Sequence, residues 1–431
     1  MDGLVWREVS DIRQPTADPG TGPSFWQLEA PARRYGALAG PASADVCIVG
    51  AGVTAASCAW RLLEHGVSVA VVEGREVAAG ASGRNGGFAS TGTALTYTEL
   101  VDRLGADQAA ALQLATEAAL DQMQDLAGEL RVPQAIRPTG SLWLATEDEA
   151  GEIPAMVAAA ARAGIRAQLA PERIPPPLRD TFVEAAYLPQ DGELSPALWV
   201  RALVEAAAGR GARVFDCSPV ASVTADGGGW RVATGGGGVT AQAVLIACDG
   251  LIPRLAPDLA GAIYPVRGQV AVTEVLPAQL RVLAVPTHSN GGFYYYRPTW
   301  DGRIAVGGGR MHDMEAEFTD VEATTATIQR AIDRFAARTL GLEGVRMEHR
   351  WAGIMGFSSD MLPLVGTVPG SDGLYISGGY SGVGNVQGFL GGRIAADLIA
   401  TGSHPQAAAY DPARPLPAGR ADERMAGRPD S

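Results

Sequence analysis

The stretch that decides the fold is Ala44-Asp-Val-Cys-Ile-Val-Gly-Ala-Gly-Val-Thr-Ala-Ala-Ser-Cys-Ala-Trp-Arg-Leu-Leu-Glu-His-Gly-Val-Ser-Val-Ala-Val-Val-Glu73. Residues 44–49 form an apolar run that reads as a buried parallel strand. The segment from Val53 carries helical periodicity and is closed by Gly66, where a left-handed residue ends a helix without a Cβ clash. Residues 68–73 read as a second buried strand ending in an acid. The unit is therefore strand, G-x-G-x-x-A turn, helix, strand, with Glu73 placed 23 residues after Gly50. Gly50 permits the tight turn, Gly52 lets a pyrophosphate approach the backbone, and Ala55 keeps the helix close to the strand. The N-terminal turn at Val53 and Thr54 offers N–H groups and partial positive charge to phosphates. A carboxylate at Glu73 accepts from ribose hydroxyls and disfavours a 2′-phosphate, so FAD or NAD is expected before NADP.

The next segment separates those two. Residues 80–88, GASGRNGGF, form a second glycine-rich loop only seven residues past Glu73. An NAD dehydrogenase has no use for such a loop there, whereas an extended flavin needs cover for its pyrophosphate and ring. Ser82, Arg84 and Asn85 bring donors, and Gly86 and Gly87 permit close backbone approach.

Further along, Ser195 and Pro196 are placed to start the helix PALWVRALVEAAAG, with Ser195 as its cap. Residues 212–216 read as a third parallel strand and 243–248 as another buried strand running into Cys248-Asp249-Gly250. The glycines 235–238 mark a hairpin tip. Residues 374–379 form a strand entering Tyr380-Ser-Gly-Val-Gly-Asn385 and a helix from about Val386 to Ala400. No strand and acid follow it, so it reads as a helix N-terminus aimed at the flavin rather than as a second nucleotide site.

These segments resemble the FAD-dependent D-amino acid oxidase (DAO) superfamily, in its gamma-glutamylputrescine oxidase-like branch, where an ASGRNGG loop is typical. The likeness continues at residues 191–216, PVRGQV (265–270), WAGIMGFSSDMLPLVG (351–366) and YISGGYSGVGNVQGFLGGRIAADLI (375–399), and spans roughly 40 to 400. It implies a Rossmann-like α/β FAD domain of the glutathione-reductase/DAO type with an interleaved α+β substrate domain. The motif order divides the chain into an N-terminal lead-in (1–42) that Trp26 could anchor, an FAD-binding part (43–100, 186–255 and 351–402), a substrate part (101–185 and 256–350) and a flexible tail (403–431) holding five prolines. Besides the residues already named, the likeness places cofactor contacts at Gly74, Arg75 and Ala81, and at Val220 near adenine. It adds Cys248, Asp249 (where the family usually has Asn) and Gly250, and around the late turn Gly379, Gly382, Val383, Gly384 and Asn385.

The implied chemistry is oxidation of an amine or amino-acid derivative to an imine by hydride transfer to flavin, with O2 as the expected acceptor. The alternatives are a dehydrogenase using another acceptor, or a single-domain NAD(P)H-dependent flavin hydroxylase, whose usual late G-D motif is missing. A cysteine that links FAD covalently in the sarcosine-oxidase branch has no counterpart in 351–366, so the FAD is expected to be non-covalent. Two departures bear on substrate. Met355 stands where amino-acid-oxidising relatives carry a carboxylate-clamping arginine, and Val383 stands where a related motif has histidine. Simple α-amino acids are therefore expected to be poor substrates.

The substrate pocket is expected from the intervening segments. FYYYRPTWDGRIAVGGGR (293–310) reads as a hairpin turned at Trp300-Asp301-Gly302. Alternation puts Tyr294 and Tyr296 on one face and Phe293, Tyr295 and Arg297 on the other. Tyr294, Tyr296, Arg310, Met355 and Tyr380 are the substrate-contact candidates.

Composition narrows the classes further. All 34 basic residues of the 431 are arginine. With no lysine there is no Schiff-base catalysis and no P-loop lysine. A net charge of −13 argues against a nucleic-acid or anionic-membrane partner. No run approaches a membrane span and the N-terminus lacks signal-peptide character, so a cytoplasmic protein is expected. The cysteines 47, 58, 217 and 248 form no CxxC pair; three sit in apolar runs, and buried free thiols are expected. The histidines 65, 288, 312, 349 and 404 are scattered, so no metal site is expected. Oligomeric state is not legible.

Overall fold

The computed structural model describes residues 22–30 and 32–420. The βαβ unit forms as its pattern predicts: a strand at Gly40–Val49, a helix at Val53–Glu64 and a strand at Val69–Val72. The strands pair in parallel, Val46 opposite Val69 through Val49 opposite Val72. Arg213–Phe215 extends this sheet on one side, and Gly237–Ile246 and Leu374–Gly378 extend it on the other, all in parallel. The first strand starts four residues earlier than its apolar run because Gly40 to Ser43 already pair with Gly237 to Thr240. A hairpin, Val220–Asp226 with Gly229–Thr234, has its tip at residues 227–228 and pairs along the N-terminal half of Gly237–Ile246, to which a tight turn at 235–236 joins it. The Val53–Glu64 helix packs against Gly384–Thr401, where the absent side chain of Gly392 lets the axes approach: a Cβ there would lie 2.4 Å from the Thr54 carbonyl oxygen.

A second sheet of eight strands stands beside the first, in the order Met347–Ser358, Ile263–Thr273, Ile304–Gly308, Tyr294–Pro298, Thr287–Ser289, Ser141–Ala145, Glu184–Leu188 and Gln168–Leu169. One of its faces is covered by the helix Ala326–Arg338, through Ile328, Ile332 and Phe335. The 24-residue helix Ala106–Glu129 buries Leu112, Leu120 and Met123 in the core of the nucleotide-type half.

Several expectations are corrected. Residues 351–358 belong by pairing to the second sheet, since Met347–Ser358 runs antiparallel to Ile263–Thr273 over its whole length. Ser195 precedes the Pro196–Gly209 helix, but its hydroxyl makes no capping bond. The described part of the C-terminal segment, up to residue 420, is docked. Tyr410 is buried and its hydroxyl donates to Gln387, and Arg414 forks onto Asp360 with two contacts of 2.9 Å. Cys47 and Cys58 are buried as expected, Cys248 is half-buried, and Cys217 is exposed beside Arg34. Residues 1–21 and 421–431, on which other parts of the lead-in and tail expectations rest, lie outside the described residues.

The remainder of the lead-in is ordered around a short helix, Phe25–Glu29, opened by a reciprocal capping box between Ser24 and Gln27. It wedges between the two halves. Trp26 Nε1 donates to the Asn85 carbonyl at 2.8 Å, and Gln27 Nε2 donates to the Ala78 carbonyl at 2.7 Å. The Trp26 ring also lies under the Arg297 guanidinium (4.6 Å) and against Trp351. Among the described residues no helix is long and apolar enough to cross a membrane.

Candidate active site

The first fingerprint closes around a backbone cradle. Gly50 has φ +106°, and a Cβ there would lie 2.8 Å from the Ala247 carbonyl oxygen and 3.6 Å from Cys248 Sγ. No L side chain fits, so the turn hugs the neighbouring strand end. The Glu73 carboxylate accepts from the N–H of Ala51 at 2.8 Å and of Arg75 at 2.7 Å. Burial raises its pKa against those N–H donors. Gly74 packs by Pro219, which leads into Val220. Glu73, Gly74, Val220, Cys248 and Gly250 thus gather at the parallel strands' C-terminal ends, where nucleotides bind in such sheets. Arg75 turns away and forks onto Glu322 at 2.8 and 3.4 Å.

Asp249 serves as a staple. In a left-handed conformation (φ +48°), it accepts from Gly356 N–H at 2.6 Å and Gly379 N–H at 2.9 Å. Burial pushes its carboxyl up to about 6 against these backbone donors. It joins the end of the Gly237–Ile246 strand to both late motifs, so its carboxylate is committed to the protein.

The second glycine loop lies across the helix N-terminus. Gly52 supplies no side-chain cap; instead Ser82 Oγ accepts the Val53 N–H at 3.0 Å. Asn85 and Asn385 lock together through Asn85 Nδ2 to Asn385 Oδ1 (2.9 Å) and Asn385 Nδ2 to Asn85 Oδ1 (3.0 Å). This pair ties the loop to the first turn of Gly384–Thr401. Arg84, expected as a phosphate or flavin donor, instead donates to the carbonyls of Ala79, Ala352 and Gly22 at 3.0–3.1 Å and pairs with Glu322. It holds the loop. Gly87, at φ +76°, faces the Leu194 carbonyl and gives its own oxygen to Arg297. The donor set therefore fits an FAD: a side-chain-free turn, a helix N-terminus with a serine hydroxyl, and a carboxylate at the end of the second strand. The backbone of residues 50–53 and 80–87, with Ser82 and Glu73, would hold it.

A cavity of about 170 Å³ opens between the loop, the late turn and the second sheet. Ala81, Asn85, Gly86, Ser381, Gly382, Val383 and Asn385 line its nucleotide side. Trp143, His288, Tyr295, Arg310, Gly353 and Met355 line the other. The sheet wall has a simple origin. Trp143, His288, Tyr295 and Gly307 stand directly opposite one another on four neighbouring strands, so their side chains share one face. Gly307 leaves the Tyr295 ring its space, for a Cβ there would sit 2.1 Å from the ring. Gly86 does the same from the loop, at 2.8 Å.

This register corrects the tyrosine assignment. Tyr294 and Tyr296 face the other way, into the core under the Ala326–Arg338 helix, where Tyr294 stacks on Phe335 at 4.0 Å. Tyr295 is the cavity residue, and burial pushes its phenol up to about 12. Tyr380 is also absent from the cavity; its hydroxyl sits 2.8 Å from both Thr54 Oγ1 and Ser377 Oγ, in the core. Thr54 likewise points to that packing seam. Arg310 and Met355 do line the cavity. The Arg310 guanidinium lies 4.9 and 4.8 Å from the rings of Phe293 and Phe357. Trp143, Phe88 and His288 were not legible as site residues, although the glycine opposite Tyr295 was a signal for which hairpin face is open. Among the described residues no cluster of three or more His, Cys, Asp or Glu could hold a metal.

Comparison with known proteins agrees with this geometry. The profile of the DAO family, described as FAD dependent oxidoreductase, matches residues 45–398. The chain is 27% identical over 394 residues to the gamma-glutamylputrescine oxidoreductase of Escherichia coli, covering 87% of this chain and 88% of that one. It is 27% identical over 380 residues to a glycine oxidase of Geobacillus kaustophilus, covering 82% and 92%. The crystal structure of glycine oxidase from Geobacillus kaustophilus superposes with a TM-score of 0.73 at 24% identity, covering 87% of this chain and 100% of that one. The family profile covers both glycine loops and the late strand and helix, and this chain is a member of the DAO family of FAD-dependent oxidoreductases.

Proposed function

We propose that this protein oxidises the C–N bond of an amine with an apolar or extended arm, with O2 as electron acceptor. The amine loses a hydride from carbon and a proton from nitrogen, and the imine adds water and expels ammonia or the N-substituted amine to leave a carbonyl compound. O2 takes the two electrons and two protons and leaves as H2O2. FAD, when bound non-covalently, supplies the hydride acceptor.

The observation that carries this reading is the placing of the cavity between the two glycine motifs and an aromatic sheet wall that bears no Asp or Glu. Such a wall binds an amine as its uncharged free base, the form with a nitrogen lone pair to drive hydride loss. Phe88, Trp143 and Tyr295 exclude water and orient the carbon. The first turn of Gly384–Thr401 faces the cavity through Val383 and Asn385, so its N–H dipoles favour negative charge on the flavin ring. Met355 lines the cavity at the position of the missing carboxylate clamp, which supports discrimination against simple α-amino acids. Arg310 brings positive charge to the cavity wall, which suits an acidic group at the far end of a longer substrate.

The test is anaerobic mixing of the yellow protein with primary, secondary and N-methyl amines and with D- and L-amino acids. Bleaching by an amine followed by rapid recovery in air is expected. Efficient bleaching by glycine or D-alanine would overturn the substrate reading, and slow recovery in air would overturn the assignment of O2.

A further inference from the structure

His288 has no part in the mechanism above, yet it is the most chemically distinctive side chain on the cavity wall. It comes from the strand Thr287–Ser289, with Trp143 on one neighbouring strand and Tyr295 on the other. Its ring stacks on Trp143 at 4.8 Å and 23°, and Phe88 closes on it at 4.5 Å. Two aromatic contacts fix the plane of the imidazole. Nε2 is buried and has no hydrogen-bond partner. An unpartnered ring nitrogen in a dry aromatic setting is costly unless something else satisfies it.

The surroundings determine its charge. The titratable or charged groups on the cavity wall are Arg84 from the glycine loop, Tyr295 from the neighbouring strand and Arg310 from the end of the hairpin. None is an anion; Glu317, which lies behind Tyr295 and Arg310, is held by Arg267 and Gln269, and burial pushes the His288 imidazole down to about 4. The ring is therefore a neutral acceptor, and a substrate ammonium would find no counter-charge beside it.

We propose that His288 is a specificity-determining residue that accepts a hydrogen bond from the substrate's free-base amine, selecting amines that carry at least one N–H and a flat or apolar group to lie along Trp143 and Phe88. This rests on the proposed amine oxidation.

The experiment uses the FAD-loaded enzyme, anaerobically, with benzylamine, N-methylbenzylamine and N,N-dimethylbenzylamine as probes. Flavin reduction gives a limiting rate and an apparent Kd for each. The wild type is expected to bind the first two and to bind the N–H-free third at least tenfold more weakly. His288→Phe keeps the stack and removes the acceptor; it should lose about tenfold in benzylamine affinity, with the limiting rate less affected. His288→Gln should restore part of the loss. Below the pKa of benzylamine, the wild-type apparent Kd should rise tenfold per pH unit with no step near pH 6.5. That readout needs no variant, so a poorly folded His288→Phe leaves the proposal testable. Equal affinity for all three probes, or an unchanged Kd in His288→Phe, would overturn the role of His288 and leave the amine reading intact. Failure of every amine to bleach the wild-type flavin would overturn the amine reading itself.

Discussion

Trp26 is the residue through which the lead-in segment governs the cofactor loop, and replacing it tests this directly. The side chain is 1% exposed, donates to the Asn85 carbonyl at 2.8 Å, and lies between Arg297 and Trp351. Trp26→Ala removes a fully buried indole and leaves a cavity, at about 3–5 kcal/mol. At about 2 cal/mol/K of unfolding entropy per residue, a chain of this size shifts by roughly 1 °C per kcal/mol, so the melting midpoint falls by about 3–6 °C. Trp26→Phe keeps most of the packing and loses the N–H, at about 1–2 kcal/mol. Asn85 in turn holds Asn385 and Gly87, so the damage reaches the loop. If even about 1.4 kcal/mol is felt there, FAD affinity drops tenfold. The assay is release of FAD followed by the rise of its fluorescence on dilution, together with thermal melts of apo- and holoprotein. Graded losses are expected, Ala larger than Phe, in both measurements. Normal FAD retention in a Trp26→Ala protein that melts early would refute the coupling of lead-in to loop. An unshifted melt would refute the wedge itself.

Other expectations separate neighbouring residues. Tyr294→Phe removes a contact to His312 at 3.2 Å on the core side and should leave flavin reduction within about twofold of wild type; Tyr295→Ala, on the cavity side, should change the apparent substrate Kd by tenfold or more in the same stopped-flow assay. Met355→Arg should raise the rate of flavin reduction by glycine or D-alanine above wild type, because a guanidinium at that point of the wall supplies a carboxylate partner. Arg414→Ala strands the Asp360 carboxylate, which burial would raise but the Arg414 fork holds below the usual range. Breaking such a partly buried pair costs about 3–5 kcal/mol. A depressed carboxylate stabilises the fold above its unfolded pKa, and that share is lost as pH falls through its folded value. Wild type should therefore lose this share below about pH 4, while in Arg414→Ala the carboxyl is left to burial and raised, so the variant's deficit against wild type should be largest near neutral pH and shrink as the pH falls, read from melts between pH 3 and 7.

The βαβ fingerprint, the second glycine loop and the late strand–turn–helix were legible because what they require is local. A left-handed glycine, an apolar run and a capping turn each express themselves within about ten residues. Gly50 and Glu73 could be read as parts of one site from spacing alone, since the strand between them has a fixed rise. The family likeness extended that reading across the chain. The cavity wall was different. Alternation divided the tyrosines of 293–297 into two faces, but which face is open depends on the register that sets Tyr295 against Gly307 and His288. It depends also on the Ala326–Arg338 helix, which covers Tyr294 and Tyr296. Arg84 read as a ligand donor because a guanidinium among glycines suits a phosphate; its partners, Gly22, Ala352 and Glu322, are brought to it from distant parts of the chain. Asp249 and Arg414 became structural in the same way, through loops far off in sequence. By itself the sequence determined the cofactor and the backbone that cradles it, because φ, period and spacing are short-range. Only the tertiary structure decided which side chains face the cavity, because that follows from strand pairing and from burial by elements outside the hairpin, such as the Ala326–Arg338 helix and the Ser141–Ala145 strand.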